Sequence, residues 1–281
     1  MANDLHKLAL KLAKDGPVKT LPTPRRLQLL FNGVTIISTT RAIFVWEHPY
    51  YPQYYIPKED LTKLHSNKSA TLSEDSQIRD PSGTHIATQY KLQIGARSTT
   101  QILAFAPKLP HHPAAAALQN LVKFAFESVD AWFEEDTRIY VHPKDPFKRV
   151  DLLFSRRPIR VSVDGHEIAS SQTSVHLYET GLPVRYYLPL TSVEQSLLRD
   201  SETATSCPYK GDSQYYHVEI GGKKYENLFW YYKFATLECT PIAGMVCPYN
   251  EFVDIELDGE LLERPKTHFS NTNVNKKPSA V

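Results

Sequence analysis

The pentapeptide Cys-Pro-Tyr-Lys-Gly at residues 207–211 places a thiol, a phenol and an amine within one short stretch of chain. The proline favours extended backbone at Cys207, and the Lys210-Gly211 pair then turns the chain. An amine at a turn can supply a cation to a carboxylate, a phosphate or an enolate. Cys207 can act as a nucleophile if Lys210 or a nearby base lowers the pKa of its thiol. The alternative is a small buried hydrophobic side chain next to a solvated lysine.

Glu179 is the carboxyl group of greatest interest, because it closes an apolar alternation and precedes the tyrosine pair at residues 186–187. It is either a buried carboxylate hydrogen-bonded to a phenol or a general base whose pKa is tuned by burial. The candidate catalytic residues are Glu179, Lys210, Tyr209 and Cys207. The candidate ligand-binding residues, which are ordinary core in the alternative interpretation, are Tyr187, Tyr215, Trp230 and Tyr232.

An internal repeat places all of these residues in the second of two copies. Residues 25–57 match residues 157–189 without a gap, at a constant separation of 132 positions. Residues 90–95 match residues 216–221 at a separation of 126. Such spacing indicates a duplicated structural unit. The predicted segments are an N-terminal helix or tail at 1–20, a first, degenerate repeat at 21–147, a second repeat at 148–265 and a disordered tail at 266–281.

The two copies differ where chemistry is expected. At fixed spacing, Tyr215 corresponds to Gln89, Trp230 to Ala104, Tyr232 to Ala106, and the pentapeptide to Asp-Pro-Ser-Gly at residues 80–83. Deleting large rings from a core costs about 3–5 kcal/mol each, so fold requirements alone should have preserved several of them. The differences therefore predict a site that the first copy has lost and the second retains, with simple repacking of the first copy as the alternative.

The elements that must position these residues are β-strands. Ile159, Val161 and Val163 alternate with polar residues, and Asp-Gly at 164–165 supplies the positive-φ dipeptide of a tight hairpin. A helix in the first copy is predicted to begin at Pro113, with an apolar stripe of Leu118, Leu121 and Val122. The predicted fold is mainly β: two tandem copies of a compact two-sheet domain, tent-like or sandwich-like, with short helices.

Composition excludes several classes of protein. The chain has 281 residues with a formal net charge of +1, so no global field favours nucleic acid or an anionic membrane. It has no run of eighteen apolar residues, and its three cysteines form no Cys-x-x-Cys pair. We expect a cytoplasmic protein with a small-molecule ligand, no metal, no cofactor, and neither nucleic acid nor membrane as partner. The oligomeric state is left open.

Several motifs of the second copy together resemble one family. They are Glu-Thr-Gly-Leu-Pro at 179–183, Cys-Pro-Tyr-Lys-Gly at 207–211, Trp-Tyr-Tyr at 230–232 and Ile-Ala-Gly at 242–244. The segment at roughly 25–265 thus resembles the bacterial and fungal domain of unknown function 427, in its tandem form. The resemblance implies a compact all-β fold of two facing sheets. The family label implies nucleotidyl transfer, but the sequence lacks the spaced acidic residues beside a Gly-Ser loop that hold two magnesium ions in such enzymes.

Two functions agree with these residues. The first is a cofactor-independent enzyme acting on a small organic metabolite by isomerase, lyase or hydrolase chemistry. In it Glu179 moves protons, Lys210 and a tyrosine hydroxyl stabilise an oxyanion, and Trp230 with Tyr232 holds the substrate. The alternative is a non-catalytic module that uses the same pocket to bind a small molecule or a peptide. We favour the enzyme.

Overall fold

The structure, a computed structural model, describes residues 4–62, 70–109, 112–267 and 270. It divides into two compact units, residues 1–145 and 146–281, and each consists mainly of antiparallel sheets. The prediction of a mainly β fold in two tandem copies is confirmed. Most of the predicted tail at 266–281 lies outside the described residues.

The first unit begins with a helix and continues with strands. The helices are α1 (Leu5–Asp15) and α2 (Lys58–Thr62), with two short 3-10 helices at Pro113–Leu118 and Phe126–Ser128. The strands are β1 (Lys19–Pro22), β2 (Leu27–Phe31), β3 (Val34–Thr39), β4 (Ile43–Trp46), β5 (Gln53–Pro57), β6 (Ala70–Arg79), β7 (His85–Ile94), β8 (Arg97–Phe105), β9 (Leu121–Phe124), β10 (Ala131–Glu134) and β11 (Thr137–Ile139).

Two sheets form the first unit. Seven strands form one sheet in the order β1-β4-β5-β9-β8-β7-β6, and four form the other in the order β11-β10-β2-β3. Because side chains alternate along a strand, Phe44 packs into a core with the β2 side chains, whereas the adjacent Val45 packs on the opposite face of the large sheet. We call this opposite face the outer face; its central residues are Val45, Tyr55, Leu103 and Phe105.

Helix α1 covers the outer face of the first unit. Leu5, Ala9, Leu12 and Ala13 lie on one side of the helix and are buried against that sheet. The Asp4 side chain accepts a hydrogen bond from the backbone N–H of Lys7 at the start of the helix. At its end, the backbone N–H of residue 16, a glycine with φ +72°, bonds to the carbonyl of Leu12.

The helix predicted from Pro113 is shorter than expected. A 3-10 helix ends at Leu118, and Leu121 and Val122 belong to strand β9. The change of element occurs at Asn120, whose φ of +58° is incompatible with continuing a helix. The prediction that Leu121 and Val122 extend a helical stripe was therefore wrong; they are buried because β9 is an inner strand of the sheet.

The second unit repeats this arrangement. Its strands are β12 (Val150–Ser155), β13 (Ile159–Val163), β14 (His166–Ser171), β15 (Ser174–Glu179), β16 (Arg185–Tyr187), β17 (Leu198–Cys207), β18 (Gly211–Ile220), β19 (Lys223–Ala235), β20 (Val246–Pro248), β21 (Asp254–Leu257) and β22 (Glu260–Leu261). The sheets have the orders β12-β15-β16, β17-β18-β19-β20 and β14-β13-β21-β22. A bridge between Leu188 and Val246 joins the first two, so together they correspond to the seven-stranded sheet. Its outer face carries Leu177, Tyr187, Trp230 and Tyr232.

No helix among the described residues has the length and apolar character needed to cross a membrane.

Candidate functional site

The four predicted ligand-binding rings lie together on the outer face of the second unit. Tyr187, Tyr215, Trp230 and Tyr232 form one cluster with Cys239 and Cys247. The indole N–H of Trp230 donates to the hydroxyl of Tyr187 at 3.0 Å, and the two rings meet at 90°. Burial raises the pKa of Tyr187 and of Tyr232 well above 10, so both phenols stay neutral at physiological pH. These two deepest rings therefore act as core, while Trp230 and Tyr215 lie nearer the surface.

A cluster of three charged groups lies at one end of the same sheet. Lys210 Nζ is 2.5 Å from Glu179 Oε2, and Lys148 Nζ is 3.0 Å from Glu179 Oε1. The carboxylate side chain is 6% exposed, whereas Lys210 is 13% and Lys148 is 23% exposed. The ammonium of Lys148 also lies 5.4 Å from the ring centroid of Tyr209. The structure therefore brings together the predicted residues Glu179, Lys210 and Tyr209, and adds Lys148.

Lys148 was not predicted as a site residue, and the register between two strands is what connects it with Glu179. Lys148 lies two residues before Val150, which pairs with Glu179 in the register between β12 and β15. Residues close to a cross-strand pair come within reach of long side chains. The signal is therefore present only once that register is known.

The charges in this cluster have fixed signs. Burial alone would raise the pKa of Glu179, but Lys210 and Lys148 together hold it below its ordinary value of 4.5. Burial alone would lower the pKa of Lys210, but Cys207 and Glu179 hold it above its ordinary value of 10.5. At neutral pH the cluster is thus one carboxylate between two ammonium groups.

Hydrogen bonds anchor the turn that carries Lys210, and glycine is required at its end. Gly211 has a φ of +105°, and a Cβ at this position would lie 2.8 Å from the carbonyl oxygen of Phe234. The backbone carbonyl of Lys210 accepts from the N–H of Thr236 at 3.0 Å, and that of Tyr209 accepts from the Thr236 hydroxyl at 2.6 Å. Cys207, which is partly exposed, pairs with Gly211 across this hairpin. The pentapeptide therefore holds the amine and the thiol in place.

Hydroxyl groups continue from the pentapeptide along the sheet. The hydroxyl of Thr205 lies 2.6 Å from that of Ser213 and 2.8 Å from that of Tyr215. Neither Thr205 nor Ser213 was singled out from the sequence, because isolated Ser and Thr residues in alternating strands carry no distinguishing pattern. Their proximity follows from the antiparallel pairing of β17 with β18.

Strand pairing corrects the comparison of the two copies. Tyr215 pairs with Trp230, and its counterpart Gln89 pairs with Leu103. Likewise Ser213 pairs with Tyr232, and its counterpart Ala87 pairs with Phe105. Leu103 and Phe105, and not Ala104 and Ala106, are therefore the equivalents of Trp230 and Tyr232. The first copy has lost the indole but keeps a ring at the position of Tyr232.

The error arose from one additional residue in β19. Between the pairs Val218–Tyr225 and Tyr216–Phe229, β19 is irregular and Asn227 has a φ of +51°. A shift of one position moves every side chain of a strand to the other face. Fixed spacing therefore matched Trp230 of the outer face with Ala104, which packs in the inner core.

The same pairing reveals how the first unit treats its equivalent carboxylate. Trp230 pairs with Cys247, and Leu103 pairs with Lys123, so Lys123 is the counterpart of Cys247. Lys123 forms an ion pair with Glu47, the counterpart of Glu179. The hydroxyl of Tyr55 donates to the same carboxylate at 2.9 Å. The Lys123 side chain is only 2% exposed and that of Glu47 is 10% exposed, so the ammonium group of this ion pair is the enclosed partner.

Among the residues that the structure describes, no three His, Cys, Asp or Glu side chains are grouped so that they could hold a metal ion.

The ionic cluster predicts a pH dependence of stability. The lowered pKa of Glu179 means that its ionised form stabilises the folded state above about pH 4.5, and this contribution is lost as the pH falls through the folded-state pKa. The raised pKa of Lys210 means that its contribution is present below pH 10.5 and is lost as the pH rises through the folded-state pKa. We therefore expect the difference in unfolding free energy between wild type and Glu179→Gln to be largest near pH 7. Urea unfolding at a series of pH values measures it; a difference that stays constant down to pH 3 contradicts the ionic cluster.

Comparison with known proteins identifies one family. The family model described as Domain of unknown function (DUF427) matches residues 19–135 and again residues 151–259. The two matches correspond to the two structural units. Comparison with the curated proteins gives no match.

Proposed function

Because the chain belongs to the family described as Domain of unknown function (DUF427) and carries two copies of its domain, we propose that the second copy alone is functional. In this proposal it is a metal-free enzyme that moves a proton on a small organic anion. The observation that supports the proposal is the different treatment of equivalent carboxylates. Glu47 pairs with the enclosed Lys123, whereas Glu179 pairs with the partly exposed Lys210 and Lys148.

The accessible cluster favours an anionic ligand. Two ammonium groups and one carboxylate leave a net charge of about +1 beside Tyr209. A carboxylate or enolate of the ligand competes with Glu179 for Lys210 and Lys148. In the first unit an anion has no comparable access to the equivalent lysine, because α1 covers the outer face and Lys123 is enclosed.

Ligand binding would also activate the base. The lysines hold the pKa of Glu179 down, so drawing them toward a ligand anion raises the basicity of that carboxylate. Glu179 then accepts the proton from a carbon next to a carbonyl group. The C–H bond breaks and its electron pair forms a C=C bond, while the π pair of the carbonyl group moves onto its oxygen and the lysines stabilise the resulting enolate. Return of the proton to the same or a neighbouring carbon completes the exchange or the isomerisation.

Deuterium incorporation tests this proposal without knowledge of the natural substrate. The protein is incubated in D₂O with a defined mixture of small 2-oxo acids, and mass spectrometry follows the gain of deuterium in each acid. We expect wild type to accelerate incorporation into at least one acid, and Glu179→Gln to slow it by about 10²–10⁴-fold, the usual contribution of a general base.

The first copy supplies the matched control. Glu47→Gln makes the same change at the equivalent position of the other unit and is expected to leave deuterium incorporation unchanged. Equal rates for wild type and Glu179→Gln, or equal losses in both glutamine variants, would falsify the proposal.

A second candidate, a binding module without catalysis, is favoured by the packing of the rings. The ring of Tyr187 contacts those of Trp230 and Tyr232 on the outer face, and the resting carboxylate is a weakened base. In this case one of the acids raises the melting temperature of wild type but not of Lys210→Met, and no deuterium is incorporated.

A further inference from the structure

Strand β12 of the second unit is an edge strand with exposed apolar side chains. It stands at the end of the sheet order β12-β15-β16, and no strand among the described residues pairs with its other side, which we call the open edge. Leu153 is 55% exposed and Phe154 is 79% exposed. Consecutive residues of a strand point to opposite faces of a sheet, so an element packed on one face cannot cover both side chains. A further strand beside β12 would contact both of them, because its own side chains also alternate.

The open edge of β12 also presents backbone hydrogen-bonding groups. The carbonyl of Arg149 accepts from the N–H of Thr180, which lies opposite it, at 3.0 Å, so the backbone groups of Arg149 point toward β15. In an antiparallel pair this direction alternates from one residue to the next. The N–H and C=O groups of Leu152 and Phe154 therefore point away from β15. Pairing with a further strand would satisfy them.

The first copy has a proline at the equivalent edge. Pro22 of β1 pairs with Ile43. Phe154 of β12 pairs with Val175, and both members of this pair lie 132 positions further along the chain. Pro22 is therefore the counterpart of Phe154. Proline has no N–H to donate, and it is one of the residues that keep edge strands from pairing with other chains. The second copy lacks this protection at the same position.

The sequence of β12 is complementary to itself in an antiparallel arrangement. Two copies paired with Leu153 opposite Leu153 also place Leu152 opposite Phe154, twice. In this register the outward-pointing backbone groups of Leu152 and Phe154 form the hydrogen-bonded pairs. Asp151, the one charged residue of the strand, lies opposite Ser155, so two carboxylates do not meet. A register centred on Leu152 would instead place Asp151 opposite Leu153.

We propose that the chain forms a homodimer in which β12 pairs antiparallel with β12 of a second copy, centred on Leu153. Each copy contributes the same strand, so the contact is isologous and closes after two copies. The pairing involves only Val150–Ser155 of each chain. Because such an interface is small, the dimer should dissociate on dilution. This inference is independent of the proposed chemistry at Glu179.

The mass of the full chain in solution tests the dimer. In sedimentation equilibrium at a series of protein concentrations, we expect wild type to approach twice the mass of one chain as the concentration rises. Phe154→Pro introduces the residue of the first copy and keeps the hydrogen bonds between β12 and β15, because the N–H that it removes points away from β15. This variant should stay monomeric throughout. Leu261→Ser removes an exposed apolar side chain from another edge strand, β22, and should dimerise as wild type does.

Cysteine cross-linking tests the register independently of the proline variant. In Leu153→Cys the two new thiols lie on directly opposite residues, whose Cα atoms are close enough for a disulfide, so mild oxidation should give a covalent dimer. Ser155→Cys lies on the same face, but its two copies are four positions apart along the paired strands. It should give no more covalent dimer than wild type.

Three results would overturn the proposal. The first is a wild type that stays monomeric at every concentration. The second is a Phe154→Pro protein that melts within a few degrees of wild type and still dimerises equally well. The third is equal cross-linking of Leu153→Cys and Ser155→Cys.

Discussion

Replacing Lys123 with methionine should lower the free energy of unfolding of the first unit by about 3–5 kcal/mol, the usual cost of leaving a buried charge without its partner. Lys123 is enclosed and pairs with Glu47, whose remaining side-chain hydrogen bond among the described residues is the one from the hydroxyl of Tyr55. One neutral hydrogen bond does not offset the desolvation of a carboxylate.

The two units can be measured separately in this experiment. Trp46 and Trp132 lie in the first unit and Trp230 in the second, so ¹⁹F NMR of protein labelled with 5-fluorotryptophan reports urea unfolding of each unit. The double variant Glu47→Gln/Lys123→Met removes both charges and should recover much of the loss.

Lys210→Met is the matched single variant in the second unit. It should cost less than half as much, because Lys148 still neutralises Glu179 and the site is partly exposed. Equal losses for Lys123→Met and Lys210→Met would refute the distinction between an enclosed and a partly exposed lysine.

Replacing Arg185 with methionine is expected to destabilise the second unit by a similar amount, about 3–5 kcal/mol. The guanidinium of Arg185 donates to both carboxylate oxygens of Glu251, at 2.7 and 2.8 Å. The Glu251 side chain is fully buried, with 0% exposure, so the substitution leaves a carboxylate that water cannot reach. Burial alone would raise the pKa of Glu251, and Arg185 with Thr267 holds it below 4.5. Loss of the arginine therefore also shifts the carboxyl group toward its protonated form.

Two further variants separate geometry from charge in this ion pair. Arg185→Lys keeps the cation but not the two parallel hydrogen bonds, and it should lose an intermediate amount of stability. Arg160→Met removes the arginine of the exposed ion pair with Glu256 and should change the unfolding of the Trp230 signal very little, since such surface ion pairs contribute little. If Arg185→Met were as mild as Arg160→Met, the buried ion pair would not stabilise this unit.

The duplication and the strands could be predicted from the sequence because they depend on local pattern. The Asp-Gly turn at 164–165 and the alternation of Ile159, Val161 and Val163 gave β13 and its hairpin correctly. The gapless match of residues 25–57 with 157–189 placed Glu47 and Glu179 at equivalent positions. Both predictions need only neighbouring residues or an uninterrupted alignment.

Lys210 was assigned to the same site as Glu179, but the ion pairs of the two carboxylates could not be predicted, because they depend on long-range pairing. Lys123 reaches Glu47 across 76 residues of sequence, and Lys210 reaches Glu179 across 31. In each copy the lysine comes from a different strand or turn, so the repeat itself gives no guidance. The irregularity at Asn227 also shifted the alignment of β19 by one residue. As a result, Tyr232 was matched with Ala106 in place of Phe105.

Helix α1 determines whether the first copy can be produced as a separate fragment without aggregating. The family match to the first copy begins at residue 19, so α1 at Leu5–Asp15 is an appendage and not part of the shared domain. The outer-face residues Leu103 and Phe105 are thus covered by a helix that lies outside the matched segment. A fragment that starts at residue 19 would expose this apolar surface to water and self-associate. We therefore expect the excised first copy to aggregate unless the fragment also includes α1.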